Sequence, residues 1–237
     1  YNTFYNPNNM FIIITGNVNP YETIGIIENN QNKKEFNNVN IMNKEITEPN
    51  KINKKYEEIK MNVETNKINI SYKIPRKLFK KLNLSNIELN SYISILFNIL
   101  FGSTSLLQDK LISSKVIQNG ININKTFTKD FIIICITTET DYPDTLIRYV
   151  EETINNIKIE EETLNRKLKV YKSNYILHFD DIELVNSNIQ DNIIEYGNFI
   201  NDYMDIYEKI NVKTINDIAS SLKNIKRSIL IIKPKTK

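Results

Sequence analysis

The chain has 237 residues, 41% of them hydrophobic and 25% charged, the proportions of a globular protein with a real core rather than of a disordered or membrane-embedded one. Its formal net charge is +3, and no basic block interleaved with aromatics stands out, which argues against a nucleic-acid partner; Lys33-Lys34, Lys54-Lys55 and Lys80-Lys81 read as solvated surface. A single cysteine, Cys135, excludes an internal disulfide or a thiolate metal cluster and points to a reducing, cytoplasmic setting, while no apolar run approaches the roughly 20 residues of a membrane-spanning helix and no leader pattern opens the sequence.

The pass along the chain starts with a turn at Asn6 to Asn9 and an apolar run from Met10 to Ile14. A short apolar run bounded by turn residues predicts a buried strand. Asn19 as cap, Pro20 at the first helical position and Glu22 three residues past the cap then predict a helix through Glu28. Asn29 to Asn32 end it. From Lys33 to Asn53 the pattern dissolves into Asn, Lys and Glu, with Phe36, Val39, Ile41 and Met42 as the only apolar anchors, which is the composition of a linker.

Order returns at Ile59. Met61 and Val63, then Ile68, Ile70, Tyr72 and Ile74, alternate with polar residues, as in one half-buried strand or in two strands with a kink near Thr65-Asn66, stopped by Pro75. Ser85 to Leu100 is apolar around most of its girth and predicts a buried helix, ended by Gly102. A shorter helix spans Thr104 to Ser113. Gly120 to Glu139 reads as a hairpin turning at Thr128-Lys129-Asp130, its second arm, Phe131 to Ile136, apolar on both faces. Helices at Tyr142 to Ile157, Glu160 to Phe179, Ile182 to Ile200 and Thr214 to Leu222 lead to a closing strand at Arg227 to Pro234. Ala219 is the only alanine, so helix propensity carries little of this reading. The doubly apolar second arm of the hairpin implies a central strand with helices covering one side of its sheet.

Candidate chemistry is sparse. His178 is the only histidine; with Asp180 and Asp181 it offers three donors, yet it reads first as an ordinary helix-end histidine. Cys135 sits inside an apolar strand, where a thiol is structural rather than nucleophilic. Gly102-Ser103-Thr104-Ser105 has the look of an anion-binding turn, but no Gly-Lys-Ser/Thr follows, and helix capping explains it. Glu160-Glu161-Glu162 and Asp144 fall at helix starts, where negative charge is favourable. Tyr203 and Tyr207 read as core-facing, with a partner surface as the other option.

The opening stretch F-Y-N-P-N-N-M, four apolar residues, then G-N-V-N-P resembles the mid-chain junction of zinc metallopeptidases of the insulinase (pitrilysin, or inverzincin) family. F-G-S-T-S-L-L-Q-D-K-L (Phe101 to Leu111) is similar to a turn and helix of that family's C-terminal domain, and I-L-I-I-K-P (Ile229 to Pro234) keeps its order. The resemblance implies an α+β fold: two homologous domains, each a mostly antiparallel sheet backed by helices on one face, that face each other around a peptide-holding chamber. It divides this chain into residues 1–32, the closing strand and helix of a truncated N-terminal domain; 33–56, a linker; and 57–237, a C-terminal insulinase-like domain. On this reading the chain, which opens on Tyr1, is a piece of a longer protein.

The family's zinc motif, two histidines and a glutamate on one helix turn, would lie upstream of Tyr1. The resemblance thus implies no metal, cofactor or catalytic residue in this chain, with zinc confined to the missing N-terminal half if that half retains it. Active members place an Arg and, seven residues on, a Tyr in the C-terminal domain to hold an oxyanion. Here Leu111 and Gln118 occupy those positions, or Lys110 and Ile117 in the adjacent register. That loss is similar to a bacterial, cytoplasmic subgroup of paired proteins associated with elongation factor P modification. The implied partners are the chain's own N-terminal half, a homologous paired subunit and a peptide or protein substrate, with no membrane. Two functions follow: a non-catalytic C-terminal half closing the peptide chamber, or a pseudopeptidase serving purely in binding and assembly.

Overall fold

The computed structural model describes residues 1, 3–37, 40–42, 47–200 and 203–235. Contacts gather the chain into two units, Glu48–Lys172 with Met204–Lys237, and Tyr1–Thr47 with Ser173–Tyr203.

The larger unit is organised by alternation. In β2 (Lys67–Pro75) Ile68, Ile70, Tyr72 and Ile74 are buried, and the residues between them, Asn69, Ser71 and Lys73, are half-buried. β4 (Phe131–Glu139) lies antiparallel beside it with Ile70 opposite Ile136 and Tyr72 opposite Ile134. β5 (Arg227–Pro234) takes the other side, placing Ile229 against Ile70. Because strand side chains alternate faces, these registers collect the isoleucines of three strands on one surface. β1 (Tyr56–Met61) and β3 (Asn122–Phe127) complete the order β1-β5-β2-β4-β3, in which β1 with β5 is the parallel pair and the rest are antiparallel. The expected α+β sheet is present.

Helices cover the isoleucine face. α2 (Asn86–Phe101) starts on a capping box: Ser85 Oγ accepts from the Glu88 amide at 3.3 Å while the Glu88 carboxylate accepts from the Ser85 amide at 2.9 Å. Ile93, Ile95, Leu96 and Phe97 of this helix are at most 1% exposed, and each such burial contributes about 1.5–3 kcal/mol before conformational entropy is subtracted. α3 (Leu106–Ser113), α4 (Pro143–Asn155), the part of α5 (Glu161–Leu177) up to Lys172, α7 (Tyr203–Lys209) from Met204 on, and α8 (Val212–Ser221) complete the unit. Tyr92 links α2 to the α7–α8 joint, its hydroxyl donating to Lys209 O at 3.2 Å and accepting from the Asn211 amide at 3.1 Å.

Gly102 ends α2 for a reason other than a left-handed backbone. Its φ is −69°, and a Cβ there would meet Asn98 O at 2.4 Å; the close approach demands glycine. Residues Asn86–Ser113 as a single stretch are long and apolar enough to cross a membrane by composition, contrary to the sequence expectation. The turn at Gly102 breaks that stretch, and 61% of its apolar window is buried in the larger unit, which is how a core helix satisfies the same test.

The smaller unit is built differently. Asn6 caps a short 3-10 turn at Pro7–Asn9, and Asn19 caps α1 (Pro20–Gln31), its side chain accepting from the Tyr21 and Glu22 amides at 3.1 and 3.4 Å. Asp181 caps α6 (Ile182–Tyr196), which stops at Gly197 with φ +73°. Among the described residues this unit has no fully buried hydrophobic side chain.

Several expectations need correction. Met10 to Ile14 is extended but not a strand, since no neighbour pairs with it among the described residues; Met10, Ile12 and Ile14 are exposed instead of buried. An apolar run supplies the side chains of a strand and cannot supply its partner. β1 begins at Tyr56, inside the expected 33–56 linker, because parallel pairing with β5 recruits it. The helix expected to reach Ile200 ends at Gly197, and α7 and a 3-10 turn at Arg76–Leu82 were not foreseen. Residues 173–203, assigned from sequence to the 57–237 domain, gather with Tyr1–Thr47. Val39 and parts of the linker lie outside the described residues.

Candidate functional site

The face of the sheet opposite the helices carries the odd-numbered side chains of β2. Asn69 lies between Thr137 and Leu230, and Ser71 between Cys135 and Ser228. Ser71 Oγ donates to Asn69 Oδ1 at 2.7 Å and sits 3.3 Å from Cys135 Sγ. At the far end Lys67 pairs with Glu139 at 2.9 Å, and Thr65 donates to the same carboxylate. The Lys67 hydrogen bond, then the Thr65 one, holds the Glu139 carboxyl below the usual range.

A strap of chain, Glu48 to Lys55, is fastened to this surface at both ends. Lys73 Nζ meets the Glu48 carboxylate at 2.5 Å and Pro49 O at 2.6 Å, over the Phe131 ring at 4.5 Å. At the other end Ser228 Oγ donates to Lys54 O at 2.6 Å and the Ile229 amide donates to Lys55 O at 3.0 Å. Between the two fastenings lies a cavity of about 570 Å3 lined by Lys51, Ile52, Asn53, Ser71, Ile133 and Ser228 among others. A second hollow of about 320 Å3 continues over Asn69, Thr137, Leu230 and Ile232. Cavities of this size are within the range of small-molecule and side-chain sites. A third, of about 660 Å3, lies among the helices beside Leu106, Tyr149 and Arg166.

The residues singled out in the sequence are scattered. His178 begins the 3-10 turn after α5, and Asp181 is committed to capping α6, accepting from the Glu183 and Leu184 amides at 2.9 and 3.2 Å. Among the described residues no three of His, Cys, Asp and Glu come together in a metal-holding group; with the one imidazole beside a spent aspartate, the donors present do not fit a zinc site. Cys135 is half-buried on the open face rather than enclosed in the core, because its position in β4 has the opposite parity to Ile134 and Ile136. Ser105 of the glycine-serine turn caps α3, accepting from the Gln108 amide at 3.2 Å. Glu160 pairs with Lys158, and Asp144 lies in the first turn of α4.

Neither register restores an Arg and Tyr pair. Leu111 and Ile117 are 0% and 1% exposed in the core, Lys110 lies 4.1 Å over the Tyr149 ring, and Gln118 lines a small surface hollow near Glu139 and Asp141. Tyr207 packs edge-on against Tyr171 at 5.8 Å, and Tyr203 donates to Asn192 Oδ1 at 2.7 Å. The strap was missed in sequence because its anchors, Lys73 and Ser228, are ordinary polar strand residues; the one hint was their place on the face opposite the isoleucines.

A mostly antiparallel five-stranded sheet with helices on one face defines the chain as an α+β domain. Residues 1–171 match the family described as the Peptidase M16 inactive domain. The chain belongs to that family, the insulinase-type peptidases, as its inactive, C-terminal kind of domain. It is 30% identical over 177 residues to the uncharacterised zinc protease YmfH of Bacillus subtilis (strain 168), a match that takes in 72% of this chain and 40% of that protein. A protease from Helicobacter pylori superposes with a TM-score of 0.80 at 15% identity, covering 98% of this chain and 57% of the other. The peptidase M16 inactive domain from Pseudomonas fluorescens superposes at 0.64 with 11% identity, covering 93% and 53%. The chain therefore spans between 40% and 57% of the length of these relatives.

Proposed function

We propose that this chain is the non-catalytic half of an M16 peptidase, closing a peptide chamber against an upstream half and contacting the substrate or partner held there. The observation that carries the reading is the extended segment from Met10 to Ile14. Ile13 and Thr15 turn toward α6, where Asn186 Nδ2 donates to Ile13 O at 3.4 Å and to Thr15 Oγ1 at 3.1 Å; Met10, Ile12 and Ile14 are 57%, 63% and 47% exposed. An apolar, extended run backed by a helix on one side is shaped to join another sheet. On this reading residues 1–32 belong with the upstream half, 33–56 bridge, and 57–237 are the second domain's own sequence, of which residues 173–203 gather by contact with Tyr1–Thr47. We place the protein in the cytoplasm on its cysteine usage.

The test co-expresses the upstream half and this chain as separate polypeptides. The two co-purify at equal stoichiometry, and Ile12→Asp with Ile14→Asp breaks the complex. Failure of the wild-type pieces to associate overturns the proposal. The second reading, a pseudopeptidase that only binds and assembles, draws on the absence of an Arg and Tyr pair in either register, Leu111 with Gln118 or Lys110 with Ile117. His-x-x-Glu-His in the upstream reading frame, with peptide cleavage by the full-length protein, decides for the enzyme; their absence decides for the assembly subunit.

A further inference from the structure

We infer that the cavity under the Glu48–Lys55 strap is a binding site for the free C-terminus of a peptide whose last side chain is apolar. The charge balance along the strap selects a carboxylate. Lys73 is matched by Glu48 and Lys54 by Glu57 at 2.6 Å, and Lys51 has no ion-pair partner among the described residues, so the lining carries one uncompensated cation. The next residue is Ile52, and Ile133 lies in the same cavity wall. A cation and an apolar wall one residue apart match a carboxylate and an apolar side chain carried on one Cα, as they are at a peptide's C-terminus.

The polar groups in the lining favour a peptide over an alkyl chain ending in a carboxylate. Asn53, Ser71 and Ser228 lie among the apolar residues, and an alkyl chain would strip water from them while offering no hydrogen bond in return. Peptide amides replace those bonds. The strap is held by paired contacts at its two ends, so the cavity exists without a ligand and entry needs no unfolding. The site is contained within the larger unit and is independent of whether this chain closes a chamber.

The experiment titrates the purified protein by calorimetry with N-acetyl-Ala-Ala-Leu as the free acid, the same tripeptide as the C-terminal amide, and octanoate. The acid binds, the amide binds about tenfold or more weakly for loss of the charge-assisted contact, and octanoate does not compete. Lys51→Glu, an exposed loop change, removes the preference for the acid; Ile52→Asp removes binding of both peptides. Equal binding of acid and amide, no binding of the acid at millimolar concentration, or octanoate displacing the peptide each overturns the assignment. Circular dichroism of both variants, expected unchanged, separates loss of the site from loss of the fold.

Discussion

Leu111 is, with Lys110, one of the two positions at which the family resemblance would place an arginine, and replacing it measures how firmly the core holds it. The side chain is 0% exposed, and its carbonyl accepts the Val116 and Ile117 amides at 2.9 and 3.3 Å, turning the chain from α3 back toward β3. Leu111→Ala leaves a cavity the packed surroundings only partly fill, a loss of about 3 kcal/mol. For a chain of this size that lowers Tm by roughly 6–12 °C. Leu111→Arg asks the core to take a guanidinium, a desolvation cost of several kcal/mol set against a total stability of about 5–15 kcal/mol, so the larger unit loses its cooperative transition. Leu106, 88% exposed five residues earlier, is the control: Leu106→Arg stays within about 0.5 kcal/mol of wild type. Thermal melts followed by circular dichroism compare the four proteins. If Leu111→Arg melts cooperatively within about 2 °C of Leu106→Arg, the position is not core and the reasoning fails.

Ser85→Ala removes the α2 cap and costs about 1 kcal/mol near neutral pH by urea denaturation. Hydrogen bonds from the Ser85 amide, then from its hydroxyl, hold the Glu88 carboxyl below its ordinary 4.5, so the carboxylate's share of the stabilisation is present above that value and is lost as pH falls through the lower folded-state pKa; the gap between the two proteins narrows in acid but stays open, because the Glu88 amide still donates to Ser85 Oγ in wild type. Burial pushes the Tyr72 phenol up from 10.0 to about 12, so its contribution is complete below pH 10 and disappears between 10 and about 12. Tyr72→Phe flattens that alkaline loss, and because the buried hydroxyl has no hydrogen-bond partner among the described residues it costs little stability at neutral pH. Gly102→Ala drives a methyl against Asn98 O and destabilises by about 1–3 kcal/mol, measured in the same melts. Metal analysis of the purified chain finds no stoichiometric zinc; one tightly held ion per chain would refute the reading of His178 and Asp181.

Periodicity was informative wherever one chain segment decides its own environment. The alternation of Ile68, Ile70, Tyr72 and Ile74 declared a half-buried strand, and the girth of Ser85 to Leu100 declared a core helix, because burial writes directly into residue type. The extended run from Met10 to Ile14 looked like those strands and is not one here, since strand pairing depends on a second segment that the local pattern does not describe. β1 shows the converse: Glu57, Glu58 and Lys60 are poor strand signals, and the edge forms because β5 runs beside them. The candidate cavity was least legible of all. Lys51, Ile52, Ser71 and Ser228 are separated by up to 177 positions in numbering, and only the folded sheet brings them to one wall.

The segment held on α6 has a further side to it. Met10-Phe11-Ile12-Ile13-Ile14-Thr15 contains no charge, proline or glycine, the composition from which steric zippers are built. Stacked on copies of itself, it would satisfy its backbone and its side chains as fully as any folded partner could. Covering it is therefore a matter of solubility as much as of assembly. Left uncovered, the segment sets a concentration limit written into six residues, and a single lysine at Ile12 would raise that limit by spoiling the zipper.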